Sequence, residues 1–176
     1  MNIDTLENTV QQLYDSISSK HKHWFDSHRY IPLTDIDSEK FTIHTCSLSH
    51  QFPDSERSSL LHSLLQQLGI EDSNTMLSYT EIEGSLTEHT DNLTIGPIRT
   101  LILLSDTTVS VSQDGVVHLY GRGDTLVLDT SRSHSSIIVA GLGSQRWLIV
   151  EDLDSECTAV AGHFLRECLY VPLALQ

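Results

Sequence analysis

The pattern of apolar and polar positions changes near residue 70, from helical spacing to strand-like alternation. Ile3, Leu6, Val10, Leu13 and Ile17 recur at steps of three and four, which puts one apolar stripe on a helix over 4–19. A second helix is predicted from 53 or 54 to 68. Asp54 or Ser55 can cap its start, Leu60, Leu61, Leu64, Leu65 and Leu68 form its buried face, and Gly69 can end it. Between the two helices, residues 41–48 alternate and are rich in β-branched side chains, so they read as a strand. Trp24, Phe25 and Tyr30 fall in a connecting stretch and read as packing residues.

Beyond Thr75, strands are predicted at 76–82, 86–89, 99–104, 108–112, 116–120, 125–128, 135–139 and 146–151. Turn signals separate them: Glu83-Gly84, Gly96-Pro97, Gln113-Asp114-Gly115, Gly121 to Asp124, and Gly141 to Ser144. Short strands at this even spacing predict a sandwich or barrel of closed or jelly-roll type. The two helices would pack on one outer face, an α+β arrangement. One domain is expected, with a helical support region at 1–70, a β core at 76–151 and a closing segment at 157–176, where Pro172 limits a final helix.

Composition narrows the function classes. The chain has 176 residues, 39% of them hydrophobic, enough for a core without special staples. No stretch approaches the roughly 20 apolar residues of a membrane helix. Met1-Asn2-Ile3-Asp4 lacks the basic start and apolar run of a signal peptide, so a cytoplasmic protein is expected. Cys46, Cys157 and Cys168 form no CxxC pair and are expected to be separate thiols. The formal charge of −14, with only 10 Lys and Arg, disfavours nucleic acid. A small molecule, an amino acid or a peptide is the expected partner.

Two of the 10 histidines sit in a pattern that chemistry would require. In His89-Thr90-Asp91 the side chains at i and i+2 point to one side of a strand, so an imidazole and a carboxylate can meet one point. His134, opening a later strand, can supply a third ligand from across the barrel. Two histidines and one carboxylate leave three metal positions open, which suits Fe(II) in oxygen chemistry. Zinc could use the same ligands, but the spacing is not that of a zinc-protease helix. The alternative is a polar strand end with local hydrogen bonds.

These residues resemble the 2-oxoglutarate/iron(II)-dependent dioxygenases, in the prolyl-hydroxylase-like branch of the double-stranded β-helix (jelly-roll, cupin-like) fold. Four stretches within 76–151 carry the resemblance: Tyr79 to Gly84 leading to His89-Thr-Asp91-Asn92, Arg99 to Ser105, Gly123-Asp124 to His134, and Gly143-Ser-Gln-Arg146-Trp-Leu-Ile-Val. The resemblance implies that His89, Asp91 and His134 hold iron. It implies that 2-oxoglutarate and O2 are cosubstrates, with hydroxylation of a substrate and release of succinate and CO2. It also implies a guanidinium for the far carboxylate of 2-oxoglutarate. Arg146 is the first choice and Arg99 the competitor. Leu148 stands where the family often has a serine or threonine.

Tyr79 and Ser136 are further candidates for the cosubstrate pocket. Arg99, Asn92 and Arg132 are candidates for substrate contact. Each has a plain alternative: a core tyrosine, a turn asparagine, a solvated loop arginine. The segments 91–98 and 31–51 are the expected substrate-contacting regions. Two other function classes stand beside the oxygenase: a cupin-like metalloenzyme that does not use 2-oxoglutarate, and a non-catalytic β-barrel interaction module.

Overall fold

The structure is a computed structural model, and it describes residues 1–26, 41–49, 55–71, 75–89, 98–141 and 143–152. Helix α1 spans Ile3–Ser16, and the Asn2 side chain caps it by accepting the backbone N–H groups of Asp4 and Thr5. Leu6, Val10 and Leu13 are its buried stripe. The helix stops three residues before the predicted end because Ile17 is extended and turns its own side chain into the core. A 3-10 turn, Ser19–His21, follows. Strand β1 (His23–Asp26) then pairs antiparallel with β2 (Thr42–Ser47). Four residues with polar ends give too little alternation to declare a strand, so 23–26 is a connection by sequence and a strand only through its pairing with β2.

Helix α2 spans Ser55–Leu68, and Gly69, at φ +68°, ends it as expected. The remaining strands are β3 (Thr75–Glu83), β4 (Leu86–His89), β5 (Ile98–Leu103), β6 (Thr107–Gln113), β7 (Val116–Tyr120), β8 (Thr125–Asp129), β9 (His134–Gly141) and β10 (Gln145–Asp152). Each of the eight predicted strands is present, with ends shifted by two residues at most.

One sheet has the order β1-β2-β3-β10-β5-β8 and the other β4-β9-β6-β7, with antiparallel pairing throughout. Counted from β3, the eight core strands run first-eighth-third-sixth in one sheet and second-seventh-fourth-fifth in the other. That order is the jelly roll, or double-stranded β-helix, with β1 and β2 extending the larger sheet. The predicted α+β jelly roll with supporting helices is the fold observed.

Alternation sorts the side chains of the larger sheet into two cores. Ile82, Leu101, Leu103, Leu126, Leu128, Trp147 and Ile149 face the smaller sheet, where Val109 and Val111 meet them. Leu77, Tyr79, Ile102, Leu148 and Val150 face the other way, against Leu6, Val10 and Leu13 of α1 and Leu64 of α2. The helices therefore cover the outside of the larger sheet, while the space between the sheets is the barrel interior. Among the described residues no helix is long and apolar enough to cross a membrane.

Gly141 closes β9 at φ +95°, and a Cβ there would lie 2.7 Å from the Asp106 carbonyl oxygen and 2.9 Å from the Thr107 Cα. Both neighbours are backbone and cannot swing aside. Gly141→Ala is expected to destabilise the protein by about 1–3 kcal/mol, combining a disfavoured backbone with a steric clash. Urea unfolding of the variant would measure it.

Candidate metal centre

His89 ends β4 and His134 opens β9, and the two are register partners in the smaller sheet. Their ring centroids are 4.3 Å apart, with 54° between the ring planes. Both residues are buried. His134 is also the partner of Gln113 on β6, and two positions along that strand lies Val111, a residue of the inter-sheet core. The pair therefore faces the barrel interior.

The backbone fixes which nitrogen each ring presents. His89 Nδ1 lies 2.6 Å from the Thr87 carbonyl oxygen, and His134 Nδ1 lies 2.7 Å from that of Arg132. A carbonyl oxygen only accepts, so each Nδ1 carries the proton and donates it. Nε2 is then the nitrogen with the ligating lone pair in both rings. Two imidazole nitrogens at about 2.1 Å from one metal ion stand about 3 Å apart, which rings at this spacing can meet. Asp91 and Asn92 lie outside the described residues, as do Tyr30, Cys157, Cys168 and the segment 157–176. Among the described residues no third His, Cys, Asp or Glu joins the two histidines.

The predicted cosubstrate residues divide. Ser136, two positions beyond His134, faces the interior and its hydroxyl donates to Gln145 Oε1. Trp147 Nε1 donates to the same oxygen at 3.0 Å, while Gln145 Nε2 donates to the Gly84 and Ser136 carbonyl oxygens. This fully buried amide joins β10 to β9 inside the barrel.

Arg146 and Tyr79 are on the other side of the larger sheet and are not brought together with the histidines. Arg146 shares its face with Leu148 and Val150, and its guanidinium donates to Glu7 of α1. Tyr79 is packed against Tyr14, with ring centroids 4.8 Å apart, and donates to Glu81 Oε2 at 3.1 Å. Burial holds its hydroxyl well above the ordinary tyrosine range. Both assignments to the cosubstrate are corrected: these residues anchor α1 to the sheet. The physical reason is strand parity, because Trp147 and Ile149, not Arg146 and Leu148, are the inward set.

Arg99 does face the interior. It alternates with Leu101 and Leu103 on β5 and forms an ion pair with Glu151 of β10, Nε to Oε1 at 3.2 Å. The arginine side chain is 12% exposed and the glutamate 2%. The pair lies at the histidine end of the barrel: Gln113, partner of His134, donates to the Asp129 carbonyl oxygen, and Asp129 pairs with Ile98 beside Arg99. Arg132 is more than half exposed and pairs with Asp114 at the rim, and its backbone carbonyl holds His134 Nδ1.

Glu151, Gln145 and Glu88 were not singled out from the sequence. Glu151 could have been found by continuing the Trp147, Ile149 alternation one step further. Glu88 sits on the outer face behind the histidines and accepts from Ser112 Oγ and Ser133 Oγ, each at 2.5 Å. These two hydrogen bonds hold its carboxyl below the ordinary value; burial opposes them slightly, and His134 and His89 add to them. The Cys46 thiol is buried against the helices and pushed up to about 12 by desolvation, which makes it a core residue and not a nucleophile.

Neither a protein-family model nor a curated protein matches the sequence. Among solved structures, the cupin domain of Cnp3 from Schizosaccharomyces pombe is 10% identical, over 70% of this chain and 66% of that one, with a TM-score of 0.39. A cupin superfamily protein from Desulfitobacterium hafniense is 13% identical, over 48% and 72%, with a TM-score of 0.35. The DMSP lyase DddQ from Ruegeria pomeroyi is 11% identical, over 48% and 41%, with a TM-score of 0.37. The chain is similar to these proteins over part of its length, and its assignment as a jelly roll rests on its own strand order.

Proposed function

We propose that this jelly-roll protein is an Fe(II)-dependent oxygenase whose metal is held by His89 and His134, with Asp91 as the third ligand. The observation that carries the reading is the cross-strand histidine pair, with each Nδ1 donating to a backbone carbonyl, which makes Nε2 the ring nitrogen that carries a lone pair. Bound iron would supply oxygen activation, which no side chain offers. The chain's own part is to hold the rings in place and to keep water from the inter-sheet core that Trp147, Leu103 and Val109 fill.

In the finer reading the cosubstrate is 2-oxoglutarate, and the product is a hydroxylated amino acid, peptidyl side chain or small metabolite, with succinate and CO2. The guanidinium for the far carboxylate would then be that of Arg99, which shares the interior with the histidines. A second reading, a cupin-type metalloenzyme without 2-oxoglutarate, is favoured by Glu151. That carboxylate already balances the charge on Arg99, and an incoming dianion would have to displace or neutralise it.

Anaerobic addition of Fe(II) and then 2-oxoglutarate to the metal-free protein separates the readings. A saturable visible charge-transfer band, lost in Arg99→Leu and kept in Arg146→Ala, is the result expected for 2-oxoglutarate held at Arg99. Tight iron binding without the band would favour the second reading. No specific iron binding would leave an interaction module.

A further inference from the structure

Behind the histidines, on the face of the smaller sheet that points away from the barrel interior, one carboxylate ties β4 to β6 and to the residue that precedes β9. Strand β4 is a four-residue edge strand, and its pairing with β9 is broken by a bulge between Leu86 and His89. Backbone pairing alone gives His89 a weak hold, because an interrupted ladder at a sheet edge is where register slips. Alternation turns His89 inward and Glu88 outward. The Glu88 carboxylate accepts from Ser133, the residue before His134, and from Ser112 on β6, beyond β9. Ser112 in turn shares a 2.6 Å hydrogen bond with Ser135, the residue after His134. Both neighbours of His134 in the chain are thus tied, directly or through one hydroxyl, to the residue before His89.

We propose that Glu88 is a positioning residue for the histidine pair, a strap that fixes the separation of the two ligand-bearing strands. The proposal rests on the metal reading above. An ionised carboxylate suits the task because it only accepts, and two serine hydroxyls can each donate to a separate oxygen. The strap acts on strand position and not through the imidazole Nδ1 atoms, which backbone carbonyls already hold.

The test uses Co(II) alone as the probe, added to the metal-free protein, with affinity and the visible ligand-field spectrum as readouts. Glu88→Ala is expected to weaken Co(II) binding about 10- to 100-fold, the usual scale for losing an outer support of a metal ligand, and to alter the spectrum. Glu88→Gln is expected to fall between, since an amide can accept from one serine and donate to the other. Ser133→Ala should weaken binding in the same direction. Glu83→Ala, at an exposed position, removes the same charge without touching the strap and should bind as the native protein does. The strap is overturned if Glu88→Ala binds Co(II) with native affinity and spectrum, or if Glu83→Ala loses as much. If the native protein itself shows no saturable Co(II) spectrum sensitive to His134→Ala, the metal reading falls and the strap falls with it. Should Glu88→Ala fail to fold, Glu88→Gln and Ser133→Ala carry the same decision.

Discussion

With alanine at position 134, Fe(II) affinity is expected to fall by on the order of 100-fold or more, because losing even an outer support of a ligand costs about 10- to 100-fold. The argument is local. In the proposed centre His134 would supply one of the two histidine donor nitrogens, and its ring centroid lies 4.3 Å from that of its register partner His89. The His134 Nδ1 bond to the Arg132 carbonyl would also be lost, so the metal-free variant should be somewhat less stable than the native protein. Calorimetric titration with Fe(II) under anaerobic conditions, beside a urea denaturation of each metal-free form, separates the two effects. His89→Ala should behave alike, since either single variant leaves one imidazole beside Asp91 in place of two. Native-like affinity in either single variant would remove the basis of the proposed centre.

The second large effect concerns the helix side. Glu7 of α1 accepts from both Arg146 and Arg122, and Arg122 also pairs with Asp4 at 2.7 Å and donates to the Leu104 carbonyl oxygen at 3.1 Å. About a quarter of each of the Glu7, Arg122 and Arg146 side chains is exposed, so water screens the network only in part. Glu7→Ala would take the ion-pair partner from the half-buried Arg146 guanidinium and leave Arg122 with Asp4 alone. A loss of about 1–3 kcal/mol is expected, the range for leaving a buried hydrogen-bonding group without its partner. At this chain length each kcal/mol corresponds to about 2–4 °C in Tm.

The effect should depend on pH in a defined direction. Burial works against ionisation of Glu7, but the hydrogen bonds from Arg122 and Arg146 outweigh it, so its carboxyl titrates below the ordinary 4.5 in the folded protein. A depressed carboxyl stabilises the fold above its unfolded pKa and ceases to do so as pH falls through the folded value. The difference between native protein and Glu7→Ala should therefore be full at pH 7 and shrink below pH 4.5. A difference that stays constant from pH 7 to pH 3 would mean that lost packing, not the ion pairs, is responsible.

How far the site could be read from the sequence follows from strand parity. On β5, apolar residues at Leu101 and Leu103 make one face plainly inward, and Arg99 falls on that face by counting. On β10 both faces are apolar: Trp147 and Ile149 on one, Leu148 and Val150 on the other. A strand buried on both sides carries no period to say which side is the barrel, because the helices bury the second face as fully as the opposite sheet buries the first. Arg146 and Tyr79 were misplaced for that reason. His89 and His134 could be placed together because each opens or closes a strand beside polar turn residues. The eight core strands were legible from turn chemistry and β-branched content. The edge strand β1 was not, since its pairing with β2 is a tertiary choice that its four residues do not announce.

The strand order also governs how the molecule can be assembled. Strand β10 lies between β3 and β5, and Val150 pairs with Leu77, about seventy positions earlier in the chain. Until β10 arrives, β1-β2-β3 and β5-β8 are two separate fragments, each with an open edge and a bare apolar flank. Closing so long a loop must precede any gain from the contacts it makes, which slows formation of such a topology. The nascent chain must therefore carry the β1-β2-β3 half-sheet, joined later by β5-β8, without its central partner until residues 145–152 are made, and that interval is when aggregation or chaperone capture is most to be expected.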